Sequence, residues 1–423
     1  MAAKTINMTS VKAAMQAGSG PFMRSGESLN NPNSGQDIVG CWFMALDDQK
    51  CGHRFVPAAD GGTDAGSNSS SSTSSPPGNM TVTNIGGSTS GLAPVNTMTN
   101  CVDAEWSGDT SGGGGSSFIR CRLTDQFTWA YAVDPDVTKE IDVRGLFYLP
   151  ANYPPRVQFR GARTNSNGTN AGQTSFSDQI WSTPGWQSRT LTFSADADPV
   201  TYPFPDVRIM TSNITEASGD QIHLAGFLFD FKNDSDNGCV LATGAGSESA
   251  EDHVGRYITA SATYYADIIA LITPTPVYGF IAFRNLDGSG ASYVTTSYIP
   301  ALEAIGDAQV AAGVTQIVLE VPHLAVDGMS EADLLLIEAG IIDLAASKGW
   351  AVWNWYRITG AQTWPDFDAS MNMDNGGDGV HYDDRASAIL ALQYGWAAID
   401  EESSGGGKFG RGRNFRNPAR RAR

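Results

Sequence analysis

The chain has 423 residues, 41% of them hydrophobic, and a formal net charge of −18, which allows two or three separately packed cores. No run of eighteen apolar residues is present and no charged-then-apolar leader is visible, so neither a spanning helix nor a secretory signal is read from the sequence. An acidic body of this size argues against a protein that binds nucleic acid as a whole.

In chain order, Thr9 to Ala17 suits one or two helical turns before Gly18-Ser19-Gly20. Residues 60–117 are dominated by Gly, Ser, Thr and Asn, a composition that buries too little apolar area to offset chain entropy by itself. Residues 1–117 are therefore expected to form an irregular attachment or assembly region. Between 118 and 232 the pattern changes to short alternating runs, 141–149, 156–160, 188–193 and 221–229, without helices between them. Such runs predict an antiparallel β-sandwich. From 233 to 402 strand and helix patterns alternate: strands at 239–242, 277–283, 316–321 and 350–356, and helices at about 298–312, 330–348 and 386–399. Alternation of this kind predicts a doubly wound parallel sheet with its ligand site at the carboxyl ends of the strands. Ser330 and Asp333 read as a helix cap and Gly349 as a stop.

The five cysteines match no zinc spacing, and their odd number leaves at least one thiol unpaired. No metal site and no cofactor are expected. The last segment, 403–423, carries Lys408, Arg411, Arg413, Arg416, Arg420, Arg421 and Arg423 with no acid among them. Removing those seven charges leaves about −25 on the body, so the tail is electrostatically a separate object, suited either to an acidic partner or to solvent.

Near the C-terminus, Asp378-Gly379-Val380-His381 places a carboxylate three residues before an imidazole. In that arrangement the acid fixes the ring tautomer and the other ring nitrogen takes a proton from a hydroxyl. Asp378 also suits a turn, and Asp383 a helix cap.

With the strand ends in place, residues 239–400 resemble the SGNH (GDSL) hydrolase family. Asp378-Gly379-Val380-His381 is similar to the family's last block. Asn285 is similar to the block whose amide donates to the oxyanion, although Leu286 follows where the family has Asp. The turn 244–252 resembles the Gly-rich block whose backbone N–H completes that hole, at Gly246 or Ser247. Ser247 is the alternative nucleophile. The family's first block is a strand running into Gly-Asp-Ser, and no Gly-Asp-Ser occurs in this sequence; the nearest string, Ser107-Gly108-Asp109-Thr110-Ser111, lacks a preceding apolar strand.

The preceding sandwich resembles jelly-roll carbohydrate-binding modules, with Trp181, Trp186, Tyr153 and Trp129 as aromatic platforms for sugar rings; core or rim packing is the other use of those rings, and a structural role is expected for His223. Together these resemblances imply a multidomain virion or surface component, of the phage fibre or decoration kind. Its sandwich would precede a degenerate SGNH-like domain and engage glycans or cell-surface polysaccharide, as a homo-oligomer or within a larger particle. An active carbohydrate O-acetylesterase and a purely structural adaptor are the alternatives.

Overall fold

A computed structural model describes residues 3–16, 21–26, 53–57, 80–85, 101–106, 118–122, 140–153, 156–164, 170–171, 177–180, 182–194, 204–210, 219–231, 239–243, 248–259, 264–269, 278–323, 329–360 and 395–403. Its strands are β1 (Thr5–Ile6), β2 (Pro21–Gly26), β3 (His53–Pro57), β4 (Met80–Ile85), β5 (Cys101–Trp106), β6 (Phe118–Arg122), β7 (Glu140–Leu149), β8 (Arg156–Thr164), β9 (Asn170–Ala171), β10 (Ser177–Ile180), β11 (Gly185–Ser194), β12 (Phe204–Met210), β13 (Gln221–Phe231), β14 (Cys239–Thr243), β15 (Tyr278–Ala282), β16 (Gln316–Val321) and β17 (Ala351–Asn354). Its helices are α1 (Met8–Gln16), α2 (Ala250–His253, running on as a π-helical segment Val254–Thr259), α3 (Tyr264–Ile269), α4 (Gly290–Tyr293), α5 (Ile299–Ala311), α6 (Glu331–Lys348), α7 (Trp355–Ile358) and α8 (Trp396–Ser403).

The α/β half is built on five parallel strands in the order β14-β2-β15-β16-β17. Numbered by appearance, that order is 2-1-3-4-5, the flavodoxin-like winding, which opens a crevice over the carboxyl ends of its first and third strands. Here those strands are β2 and β15, and Gly26 lies in register with Ala282 at the crevice. β1 closes the far edge antiparallel to β17.

Side chains of alternating parity face the two sides of this sheet. Met23, Ile281, Ile317, Leu319 and Val352 join residues of the π-helical segment, α3, α5 and α6 in one buried cluster. Burial of each large aliphatic or aromatic side chain contributes about 1.5–3 kcal/mol. On the other face Phe280 meets Trp353, which stacks at 4.2 Å on Trp355, and Tyr278 donates to the Ser10 carbonyl of α1 at 3.2 Å. A short terminal clasp covers this side: the Met8 N–H donates to Glu402, and Lys12 pairs with Asp400.

The α/β sheet does not begin after the sandwich region. Its first interior strand is β2, which with β1 and α1 lies in the segment 1–117 expected to be irregular, although α1 matches the helical turns read at Thr9 to Ala17. β2 escapes pattern reading because Arg24 and Ser25, 1% and 0% exposed, interrupt its apolar run and are buried against polar partners instead. β3 lies just before the Gly/Ser-rich stretch 60–117, and β4 and β5 lie within it.

The strands between β2 and β14 pair antiparallel in two groups. One contains β3, β4, β5, β7, β11 and β13, and the other β6, β8, β9, β10 and β12. β3 joins the two halves by pairing parallel with β14 and antiparallel with β13. The four runs read from the sequence correspond to β7, β8, β11 and β13.

Candidate functional site

Among the described residues, polar groups converge at the carboxyl edge of the sheet over β2 and β15. β15 is wholly buried, and the chain leaves it through Phe283-Arg284-Asn285. Asn285, half-buried, forms an isolated parallel bridge with Ser249, directly before α2. The Gly-rich turn and the Asn segment, 38 residues apart at Ser249 and Asp287, are thereby brought side by side.

The loop carrying Asn285 is fixed from four directions. Tyr298 donates to the Phe283 carbonyl at 2.5 Å, and Ser249 Oγ donates to Asp287 at 2.8 Å while accepting the Asp252 N–H at 3.1 Å. The Asp287 N–H donates to Tyr293 Oη at 2.9 Å, and the Gly290 N–H donates to Asp333 at 2.6 Å. Burial and then the Glu251 carboxylate raise the pKa of Tyr293, so its hydroxyl stays protonated. Such pinning holds the segment that carries Asn285 in one conformation. Leu286 stands where an acid was expected, and Asp287, one residue on, holds the loop to Ser249.

At the next strand end lies His323, which sequence reasoning did not single out. It is 5% exposed, and burial, followed by the nearby positive charge of Arg284, holds its pKa well below the ordinary range. His323 is therefore a neutral imidazole at neutral pH.

Beneath the edge, on the face of β2 that carries Ser25, runs a chain of buried hydrogen bonds. Gln309 Nε2 donates to Ser25 Oγ at 2.8 Å, Ser25 Oγ lies 3.0 Å from Tyr265 Oη, and Tyr265 Oη lies 2.7 Å from His253 Nε2. His253 Nδ1 is 3.0 Å from Glu248 Oε2. His253 has no exposed surface, and its ring packs edge-on against Phe283 with centroids 5.2 Å apart.

Asp378, His381, Gly246, Ser247, Trp129 and Trp181 lie outside the described residues. Trp186 is on β11 in register with Tyr148 of β7, Tyr153 is half-buried just after β7, and His223 is on β13. Ile180, next to Trp181 in sequence, is 69% exposed on β10, a strand at the end of its sheet.

The position of β2 also draws attention to a serine that the sequence analysis did not weigh. The first strand of the winding ends at Gly26, and the chain continues Glu27-Ser28. Gly26-Glu27-Ser28 differs from Gly-Asp-Ser by one methylene group. Both Glu27 and Ser28 are outside the described residues; in sequence they directly follow the first parallel strand. A search for Gly-Glu-Ser as well as Gly-Asp-Ser would have found it.

No protein-family model matches the chain, and no curated protein matches its sequence. Among solved structures, one of a peptidoglycan O-acetylesterase in action aligns with 94% of this chain and 95% of its own, at a TM-score of 0.56 and 12% identity. A family two carbohydrate esterase from Cellvibrio japonicus aligns with 70% of this chain at a TM-score of 0.26 and 8% identity, and covers 95% of its own length. A lipase/acylhydrolase from Enterococcus faecalis aligns with 40% of this chain and 76% of its own, at a TM-score of 0.27 and 17% identity. At these identities the first likeness establishes a shared fold, consistent with an SGNH-like α/β region, and nothing about chemistry. None of the described helices is long and apolar enough to cross a membrane.

Proposed function

We propose that the chain is an SGNH-type carbohydrate O-acetylesterase with Ser28 as its nucleophile. The observation that carries this reading is the position of Gly26-Glu27-Ser28 directly after the first strand of a 2-1-3-4-5 sheet. The bridge between Ser249 and Asn285 supports it, because the two segments assigned to the oxyanion hole are adjacent. With a serine after β2, the domain need not be degenerate.

In this mechanism Ser28 Oγ attacks the acetyl carbonyl carbon and its proton passes to His381, whose tautomer Asp378 holds. The oxyanion accepts hydrogen bonds from the Asn285 amide and a backbone N–H at Gly246 or Ser247. Collapse expels the sugar alkoxide, which takes the proton from His381 and leaves acetyl-Ser28. Water, deprotonated by the same imidazole, releases acetate and restores the serine.

A glycan ester is the preferred substrate class because the shared fold is that of an esterase named for peptidoglycan, whose own chain is spanned almost completely. The strands inserted between β2 and β14 are assigned the jelly-roll, glycan-holding role, with Trp181, Trp186, Tyr153 and Trp129 as platforms. Exposed Ile180 beside Trp181 supports an apolar contact there. The segment boundaries at 117, 232 and 402, the oligomeric assembly, the acidic partner of the tail and a location on a virion or outer surface belong to the same proposal.

The deciding experiment is turnover of an aryl acetate and release of acetate from O-acetylated peptidoglycan by the purified chain. Ser28→Ala and His381→Ala should each lower kcat by about 10³-fold or more. An inert wild-type chain, or full activity in Ser28→Ala, overturns the reading.

A further inference from the structure

We propose that His253 is a positioning residue, the centre of a polarised hydrogen-bond chain that locks the nucleophile strand to the Gly-rich turn and to the Asn285 segment. The inference rests on the esterase reading above and deepens it by naming a device beneath the site.

The direction of the chain follows from its two ends. The Gln309 Nε2 amide only donates, so Ser25 Oγ accepts at that end; Glu248, as a carboxylate, only accepts at the other. One polarity then lets each group between them donate once and accept once. Gln309 donates to Ser25, Ser25 to Tyr265, Tyr265 to His253 Nε2, and His253 Nδ1–H to Glu248. This arrangement selects the Nδ1–H tautomer of His253, and hydrogen bonds aligned head to tail polarise and strengthen one another.

Its placement gives the chain a purpose beyond filling space. Ser25 is three residues before Ser28 in sequence, and Glu248 directly follows Ser247. The His253 ring itself rests on Phe283, two residues before Asn285. Three of the four segments of the proposed site, all but the one carrying Asp378 and His381, are therefore tied to one imidazole. His253 is 0% exposed, so it acts through its neighbours and touches no substrate.

The room for the chain is also specific. A Cβ on Gly279 would stand 2.0 Å from Gln309 Oε1, so β15 carries glycine where the amide crosses it on the way to Ser25.

The test uses the full chain with Tyr265→Phe, Glu248→Gln and Glu248→Leu beside Ser28→Ala. Readouts are kcat and KM on the aryl acetate, the thermal midpoint, and nitrogen-resolved imidazole spectra at neutral pH. Tyr265→Phe removes one oxygen and should lower kcat about ten- to a hundredfold, with KM within about twofold. Glu248→Gln still accepts from Nδ1–H and should retain most of the rate, whereas Glu248→Leu should match Tyr265→Phe. The spectra should show His253 as the Nδ1–H tautomer in the wild type. Normal kcat in a folded Tyr265→Phe, or an Nε2–H tautomer, overturns the proposal. Should the wild type be inert or Ser28→Ala fully active, the esterase reading fails instead, and the spectra still decide the direction of the chain.

Discussion

Arg24 and Ser25 are neighbours on one strand, yet the two faces of β2 hold them in opposite ways. Arg24 reaches across β15 to Glu320 of β16, with N–O distances of 2.8 and 3.3 Å, and Trp355 Nε1 donates to the same carboxylate at 2.7 Å. Ser25 enters a chain of buried hydrogen bonds that runs through Tyr265 and His253 to Glu248. The ion pair ties β2 to β16 across β15, while the hydroxyl chain ties it to α5, α3 and α2 and to the turn before α2. One face therefore holds β2 within the sheet by a buried ion pair, and the other holds it to the layer above by hydrogen bonds between hydroxyl, phenol, imidazole and carboxylate.

The largest effect expected is on the charged face. Glu320→Ala leaves the Arg24 guanidinium buried without its carboxylate and should cost about 3–5 kcal/mol, read from urea midpoints at constant slope. The double variant Arg24→Met with Glu320→Leu should recover most of that loss, because an apolar pair of similar volume needs no desolvation of charge. A loss below about 1 kcal/mol in Glu320→Ala, the range of exposed pairs, would mean that water reaches the pair. At temperatures where the double variant is folded, kcat on the aryl acetate should remain close to wild type.

A smaller stability effect with a larger kinetic one is expected on the Ser25 face. In Gly279→Ala the new Cβ lies 2.0 Å from Gln309 Oε1 and 3.0 Å from Ile317 Cδ1, so the amide has to leave Ser25. Overpacking of this kind costs about 1–3 kcal/mol, and kcat should fall together with stability. Adding Gln309→Ala removes the clash, so the pair should be less destabilised than the sum of the singles. Strict additivity would show that the amide does not cross β15 as described.

The same contrast explains what sequence reading found. Helix α6 was legible because its signals are local: Ser330 accepts the Asp333 N–H at 3.1 Å, and Gly349 stops the helix at φ 72°. The place of Asn285 after a buried strand was legible because a wholly apolar run precedes a polar turn. β2 was not, since its polar residues meet partners 240 to 296 positions away, at Tyr265, Gln309 and Glu320. A buried arginine and serine read as surface until the fold supplies their partners, and with β2 unrecognised the serine after it had no strand to mark it. The predicted strand from Trp350 ends at Asn354 because the Asn354 side chain accepts the Arg357 N–H and starts α7.

The smallest effect expected lies outside β2, at a hydroxyl that resembles Ser25 in chemistry but not in setting. Ser330 Oγ caps α6 and also donates to Asp333 Oδ2 at 2.7 Å, while Asp333 Oδ1 takes the Gly290 N–H of the Asn285 loop. Ser330→Ala loses a cap worth about 1 kcal/mol, and Ser330→Thr should keep it. Asp333 retains its own bond to Gly290, so the loop remains anchored and kcat should change by less than about twofold. A hydroxyl removed from the rim of a helix would then cost stability without rate, whereas breaking the Ser25 chain costs rate. Equal kinetic losses from Ser330→Ala and Tyr265→Phe would show that any loosening of the loop slows the reaction, and the distinction between the two faces of β2 would have no catalytic meaning.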